Sequence, residues 1–332
     1  MTPARVAVWG LGRHAINKLL PAVHAAQGLQ LYGVCSRNAA QVSDCAESWG
    51  CKGWTTPGAM LSDPSVDIVY VATPIGLHAE HGRQVLGSGK HLWCEKPLTS
   101  RLQDTLDLLR LAEDRNRSVC EGLMYLYHPQ FRQLAGYVGE ARLGRLKSIS
   151  CRFGIPRMAQ SGFRSDPLLG GGAFLDVGCY PVSAIAALFG EQVPNVLYSF
   201  IDAADGSAVD TSGHALIEGP KGVVAHAQWG INCAYRNEID LWCDQGSVFT
   251  DRIFSKNPDY VPAFLIRDLQ GSTTTEHGVA NNHFVSMLEQ FGRIIHDSPA
   301  AELERARIET RARLMDRIGL ALRPAHAGRH GN

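Results

Sequence analysis

The chain has 332 residues, of which 45% are hydrophobic and 19% charged, with 32 basic side chains against 32 acidic ones. This length suits two domains of about 150 residues each, and the composition suits a soluble globular protein with a large core. The charge balance leaves no global field to draw the chain onto nucleic acid or a membrane surface. No apolar run approaches the roughly 20 residues that a membrane-spanning helix needs.

No signal peptide is expected ahead of the first strand. That strand is Arg5-Val6-Ala7-Val8-Trp9, an apolar run of the kind buried on both faces, and a helix is expected after it through Ile16, Leu19, Leu20 and Val23. Between them lies Gly10-Leu11-Gly12-Arg13-His14-Ala15, a glycine pattern set where a dinucleotide-binding turn requires it. Gly10 would permit the tight turn, Gly12 would admit a pyrophosphate to the backbone, and Ala15 would keep the helix close to the sheet. Arg13 and His14 would lie beside the phosphates at a positively polarised helix start. The same glycines also fit a strand–helix turn that binds nothing.

A second strand spans residues 29–35 and ends in Cys35-Ser36-Arg37-Asn38, with no acid before Asp44. NAD enzymes present a carboxylate here for the ribose 2′-hydroxyl. Ser36 and Arg37 instead suit a 2′-phosphate through charge-assisted hydrogen bonds. NADP is therefore the expected cofactor and NAD the alternative; a solvated turn arginine is the structural reading.

Two later apolar strands, residues 67–72 and 91–94, end in Thr73-Pro74 and Glu95-Lys96-Pro97. Strands separated by helices imply right-handed crossovers and a doubly wound parallel sheet, whose ligands lie beyond the strand C-termini. Thr73, Pro74, Glu95 and Lys96 are thus expected at the reactive end of the cofactor. His78, in the following helix, reads more as a structural residue than as a catalyst.

Beyond residue 145 the pattern changes to strands of alternating polarity at residues 146–153, 214–218, 223–229 and 238–242, with a hairpin turn expected at Gly219-Pro220-Lys221-Gly222. An α+β domain with a mostly antiparallel open sheet is expected. Trp229, Trp242 and Phe249 would either face a partner subunit or lie under the domain's own helices. Within this region, Gly170-Gly171-Gly172 precedes Asp176 and Tyr180, and a glycine loop would let backbone approach a ligand. If helical, Asp176 and Tyr180 share a face and could form a proton relay with Lys96. The segment reads equally as a glycine-rich helix start with an acid at its positive end. Arg164 could reach a phosphate or stand as a surface charge. The final helix is expected over residues 300–322.

Nine scattered cysteines, without a CxxC pair or zinc-ligand spacing, fit buried thiols of a reducing cytoplasm and no metal site. The expected division is a dinucleotide-binding domain over residues 1–122, a substrate and oligomerisation domain over 123–323, whose last helix packs back on the first, and a flexible tail over 324–332.

The glycine loop, Glu95-Lys96-Pro97 and the GGGxxxDxGxY segment together resemble the Gfo/Idh/MocA oxidoreductases, in the same order and over nearly the whole chain. The resemblance implies a Rossmann domain, a C-terminal sheet that often forms a dimer or tetramer interface, and Lys96 and Asp176 beside the nicotinamide. Many members carry histidine at the position of Tyr180; tyrosine occurs in the sugar-ketoreductase, dihydrodiol dehydrogenase and xylose dehydrogenase branches. The stretch from Met124 to Gln133, containing Tyr127 and His128, is similar to nucleotide-sugar 3-ketoreductases, although its aromatics also suit a core. So are residues 153–156, 234–237 and 246–249. The expected activity is NADPH-dependent reduction of a ketone on a sugar-type substrate, with Tyr180 and Lys96 as proton donors. An oxidative sugar or diol dehydrogenase and an imine reductase are alternatives, and a non-catalytic redox sensor would have no use for these acids.

Overall fold

The computed structural model describes residues 2–157, 162–190, 192–204 and 206–320, so the tail at 324–332 lies outside the described residues. The chain divides into two compact units, one containing the residues up to His128 together with Asn282–Glu309, the other containing Pro129–Asn281 and the chain from Thr310 on.

In the first unit the elements run β1 (Ala4–Trp9), α1 (Leu20–Ala25), β2 (Leu29–Cys35), α2 (Ala39–Trp49), β3 (Lys52–Trp54), α3 (Pro57–Leu61), β4 (Ile68–Val71), α4 (His78–Gly87), β5 (His91–Cys94), α5 (Leu102–Asp114) and β6 (Val119–Glu121). The six strands form one parallel sheet in the order β3-β2-β1-β4-β5-β6. This is the doubly wound order, in which successive strands are added to one side up to β3 and to the other side from β4, so that the strand order reverses between β1 and β4. The central strands are apolar throughout because helices cover both faces: Val6, Ala7, Val8 and every residue of β4 are fully buried. Helix α5 buries Thr105, Leu108, Leu109 and Ala112, the spacing of one helical face. The three-residue strands β3 and β6 complete the sheet edges; they are too short to carry a periodic signal.

The second unit contains α6 (Pro129–Gly139), β7 (Leu146–Ile155), α7 (Cys179–Phe189), β8 (Asn195–Asp202), β9 (Ser212–Glu218), β10 (Val224–Ile231), β11 (Arg236–Cys243), β12 (Gly246–Asp251), β13 (Ala263–Asp268) and β14 (Thr273–His277). Its eight-stranded sheet has the order β14-β13-β12-β11-β7-β10-β9-β8, antiparallel except where β10 meets β7. One face is a core of Ile149, Cys151, Phe153, Ala227, Trp229, Ile239 and Leu241, all buried. The other face presents Arg152, His214, His226, Asp240 and Phe249, each half-buried, together with Trp242, 63% exposed. The three aromatics therefore divide. Trp229 packs under its own unit at 5.2 Å from Phe174, whereas Trp242 and Phe249 face outward.

The segment Pro167–Phe189 has the length and apolar character of a membrane span, contrary to the sequence expectation, but most of it is buried in the second unit. It is also broken into short helical pieces, as a core element can be and a lone span is not. The chain then returns to the first unit with α8 (His283–Ile294), capped by Asn282, whose Oδ1 accepts from the Phe284 and Val285 N–H groups. Phe291 of α8 meets Trp93 at 5.5 Å. The last helix, α9 (Ser298–Leu320), buries Ile308 in the first unit's core, and its Ile318 carbonyl accepts from Ser199 in the second. Seven cysteines are buried and Cys233 is exposed.

Candidate active site

At the end of β1, Gly10 has φ 110°, and a β-carbon there would lie 2.7 Å from the Ala72 carbonyl oxygen. Only glycine turns so tightly against the neighbouring strand end. Gly12 is exposed, with nothing within 4 Å of where a β-carbon would stand. That open backbone, followed by exposed Arg13 and His14, fits a dinucleotide pyrophosphate. The helix expected next begins as a π-helical turn over Ala15–Leu19 before α1. At the end of β2, Arg37 is exposed and Ser36 is half-buried, its Oγ accepting from Asn38 N–H at 3.4 Å.

The ends of β4 and β5 are fastened together by His78. This fully buried ring places Nε2 2.8 Å from the Thr73 carbonyl and Nδ1 3.0 Å from the Pro97 carbonyl. Burial pushes its pKa down, against the pull of the two carbonyls. The histidine thus clasps the turn carrying Lys96, whose peptide bond to Pro97 is cis. The neighbouring His81 stacks on Trp9 with ring centroids 3.9 Å apart and bonds Thr73 Oγ1 through Nδ1 at 2.9 Å. Desolvation lowers its pKa to about 4, so it is a neutral wall rather than an acid.

Glu95 is a carboxylate set for interaction. Tyr70 Oη donates to it at 2.9 Å, and His14 Nε2 lies 3.4 Å away, linking β5 to the glycine loop. Burial opposes its charge, but His14, Lys96 and the Tyr70 hydroxyl hold the carboxyl below its ordinary value. Two bonded groups thus stand at the strand ends of the first unit, Tyr70–Glu95–His14 and His81–Thr73–His78. His81 and Tyr70 had no motif to announce them.

In the second unit Asp176 and Tyr180 are nearly buried, at 4% and 8% exposure. The expected α-helix start is again a π-helical turn, over Phe174–Gly178, and α7 follows it. Such turns recur at functional sites because they re-aim side chains. The Tyr180 ring is fixed by Phe153, edge-on at 4.9 Å, and by Phe254 at 5.5 Å. Arg164, for which the sequence left a phosphate contact and a surface charge both open, places Nε 2.5 Å from Asp176 Oδ2.

Of the two sequence readings of the triple glycine, a ligand loop and a glycine-rich helix start, the chain's own packing supports the second. Gly172 has φ 109°, and a β-carbon there would stand 2.1 Å from Asp210 Oδ1. Asp210 Oδ2 accepts from Phe174 N–H at 2.7 Å, and its carbonyl accepts from Ala173 N–H at 3.0 Å. An acid from the β8–β9 connection thus clamps the start of the Asp176–Tyr180 segment, which no local pattern foretold. Tyr127 Oη reaches Glu304 at 3.4 Å and its ring meets Phe291. His128 is fully buried beside His283 and presents no surface to a ligand.

A family profile described as an oxidoreductase family with an NAD-binding Rossmann fold matches residues 4–123, and the GFO/IDH/MocA C-terminal domain matches residues 131–249. The chain belongs to the Gfo/Idh/MocA oxidoreductases. Its sheets have the arrangement expected of such an enzyme, a Rossmann sheet and a mostly antiparallel one. Among this family's members, dTDP-3,4-didehydro-2,6-dideoxy-alpha-D-glucose 3-reductase of Saccharopolyspora spinosa is 33% identical over 76% of each chain. D-xylose 1-dehydrogenase (NADP(+)) 2 of Haloferax volcanii is 27% identical over 94% of this chain and 95% of its own. The structure of the 3-ketoreductase KijD10 from Actinomadura kijaniata with NADP and TDP-benzene superposes with TM-score 0.90 and 28% identity, covering 97% of this chain and 98% of that one.

Proposed function

We propose that this oxidoreductase uses NADPH to reduce a ketone on a nucleotide-linked ketodeoxyhexose. The observation that carries the reading is the combined likeness to a dTDP-sugar 3-reductase in sequence, over 76% of the chain, and to a 3-ketoreductase in fold, over 97% of it. Arg37 and Ser36, with no carboxylate at the end of β2, support NADPH on chemical grounds.

When bound, the dinucleotide supplies a hydride to the ketone carbon. The remaining work falls to side chains. Gly10 and Gly12 admit the pyrophosphate, and Arg37 pairs with the 2′-phosphate. Oxyanion charge developing on the ketone oxygen needs a donor in a site with little water. Tyr180 Oη donates the proton. A phenol titrates near about 10, so it needs a neighbouring cation to act at neutral pH, and Lys96 is that cation. His78 holds the Lys96 turn in place, and Asp176, held by Arg164, orients a substrate hydroxyl. The test is steady-state NADPH consumption with dTDP-linked 3-ketosugars, compared with NADP⁺ reduction by free aldoses. Turnover with the first and not the second supports the reading. The reverse supports an oxidative sugar dehydrogenase, which the likeness to D-xylose 1-dehydrogenase favours.

The outward sheet face also supports self-association. Trp242 and Tyr198 are 63% and 53% exposed on it, amid half-buried Phe249 and Leu216. Wild-type protein should sediment as a dimer or tetramer and Trp242→Glu as a smaller species; a monomeric wild type contradicts this.

A further inference from the structure

Lys256 is a buried cation that the mechanism above does not use. It is 9% exposed, and its Nζ donates to the Ile253 carbonyl at 2.8 Å. Among the described residues no carboxylate lies within ion-pair distance of it. An ammonium has three protons to donate, and one left in the interior without an anion is destabilised by lost hydration. Desolvation alone pushes its pKa down to about 7. The group is therefore one that an incoming anion would stabilise.

The segment around it is rigidly held. Asn237 accepts from Phe254 N–H at 2.8 Å through Oδ1 and donates through Nδ2 to the Ser255 carbonyl and to Tyr235 Oη, each at 2.9 Å. Phe254 and Lys256 are buried on either side of exposed Ser255. The Phe254 ring is the one that packs on Tyr180. The uncompensated ammonium thus stands two residues from a wall of the candidate proton donor. At the head of the same segment, exposed Arg252 lies over the rings of Tyr235 and Tyr260, at 6.0 and 5.5 Å. A cation beside aromatic faces is the chemistry that a diphosphate and a base require.

We propose that Lys256 is the anchor for a phosphate oxygen of the substrate's nucleoside diphosphate, a placement that rests on the nucleotide-sugar reading. Calorimetric titration of the NADP-loaded enzyme with dTDP and with inorganic pyrophosphate tests it, using wild type, Lys256→Met and the charge-keeping Lys256→Arg. Lys256→Met should weaken dTDP binding at least about tenfold, the loss expected for a charge-assisted bond to phosphate. Lys256→Arg should lose less, and the melting temperature of Lys256→Met and its NADPH affinity should not fall. Should Lys256→Met fail to fold, Lys256→Gln is read in its place. Pyrophosphate sensitive to the substitution places the contact at the phosphates; pyrophosphate insensitive, with dTDP weakened, contradicts that placement. If wild type binds dTDP and both variants bind it equally well, the anchor is wrong and the nucleotide reading survives. If both variants lose binding to the same extent, Lys256 acts by packing and the anchor is again wrong. If wild type binds neither dTDP nor another nucleoside diphosphate, the nucleotide reading falls, and the anchor with it.

Discussion

Arg164 Nε stands 2.5 Å from Asp176 Oδ2, and the carboxylate it holds is almost wholly buried. The pair lies within the second unit, between the turn after residue 161 and the π-helical start of the Tyr180 segment. Removing the guanidinium leaves a buried carboxylate short of a cation, which costs more than the pair itself contributes. Arg164→Met should therefore lower stability by about 1–3 kcal/mol. With Asp176→Asn added, the double variant should be less destabilised than the sum of the two single losses. Urea denaturation of the four proteins gives the coupling; strict additivity would show that the pair is not a unit.

Lys96→Met and Tyr180→Phe should each reduce turnover by about a hundredfold or more while leaving NADPH affinity within a few-fold of wild type. Fluorescence titration and steady-state rates separate the two quantities. Two fully active variants would remove the proton relay from the account.

Arg37→Ala should raise the KM for NADPH by about tenfold to a hundredfold and leave the KM for NADH nearly unchanged, because only the former carries the 2′-phosphate. Equal changes for both would assign Arg37 to the fold rather than to cofactor choice.

Asp210 gives a pH signature. Burial raises its pKa to about 6, from an ordinary value near about 4. The folded chain therefore retains a proton that the unfolded chain has already lost between those values. Stability is greatest below the lower value and falls as pH rises towards about 6, by at most about 3 kcal/mol. Asp210→Asn keeps an acceptor for the Phe174 N–H but cannot ionise, so its melting temperature should not fall over that interval. Melting curves between pH 4.5 and 7.5 check this, and parallel profiles for the two proteins would contradict it.

Much of the architecture was legible because burial writes itself into periodicity. Val6-Ala7-Val8 and Ile68-Val69-Tyr70-Val71 could only be central strands of a doubly covered sheet, and Gly10-x-Gly12 marked the turn between strand and helix. Alternation along Leu146–Ile155 announced the half-open sheet in the same way. What stayed hidden has no local signal. Asp210 meets Phe174 N–H across 36 residues, and Tyr70 meets Glu95 across 25. The π-helical turns at Ala15–Leu19 and Phe174–Gly178 look like ordinary helix in sequence. Glycine is ambiguous for a related reason: the sequence marks close approach at Gly172 without saying that Asp210 is what approaches.

The proposed reduction needs one ammonium and one phenol at the same reacting carbonyl, although they belong to different units of the chain. A crystal structure of the enzyme with NADP and a nucleotide-linked sugar measures this directly. Lys96 Nζ and Tyr180 Oη should both lie within about 3.2 Å of the oxygen on the carbon that faces the nicotinamide ring. Density that places the two groups in separate cavities, or that seats the sugar away from the ring, would contradict it.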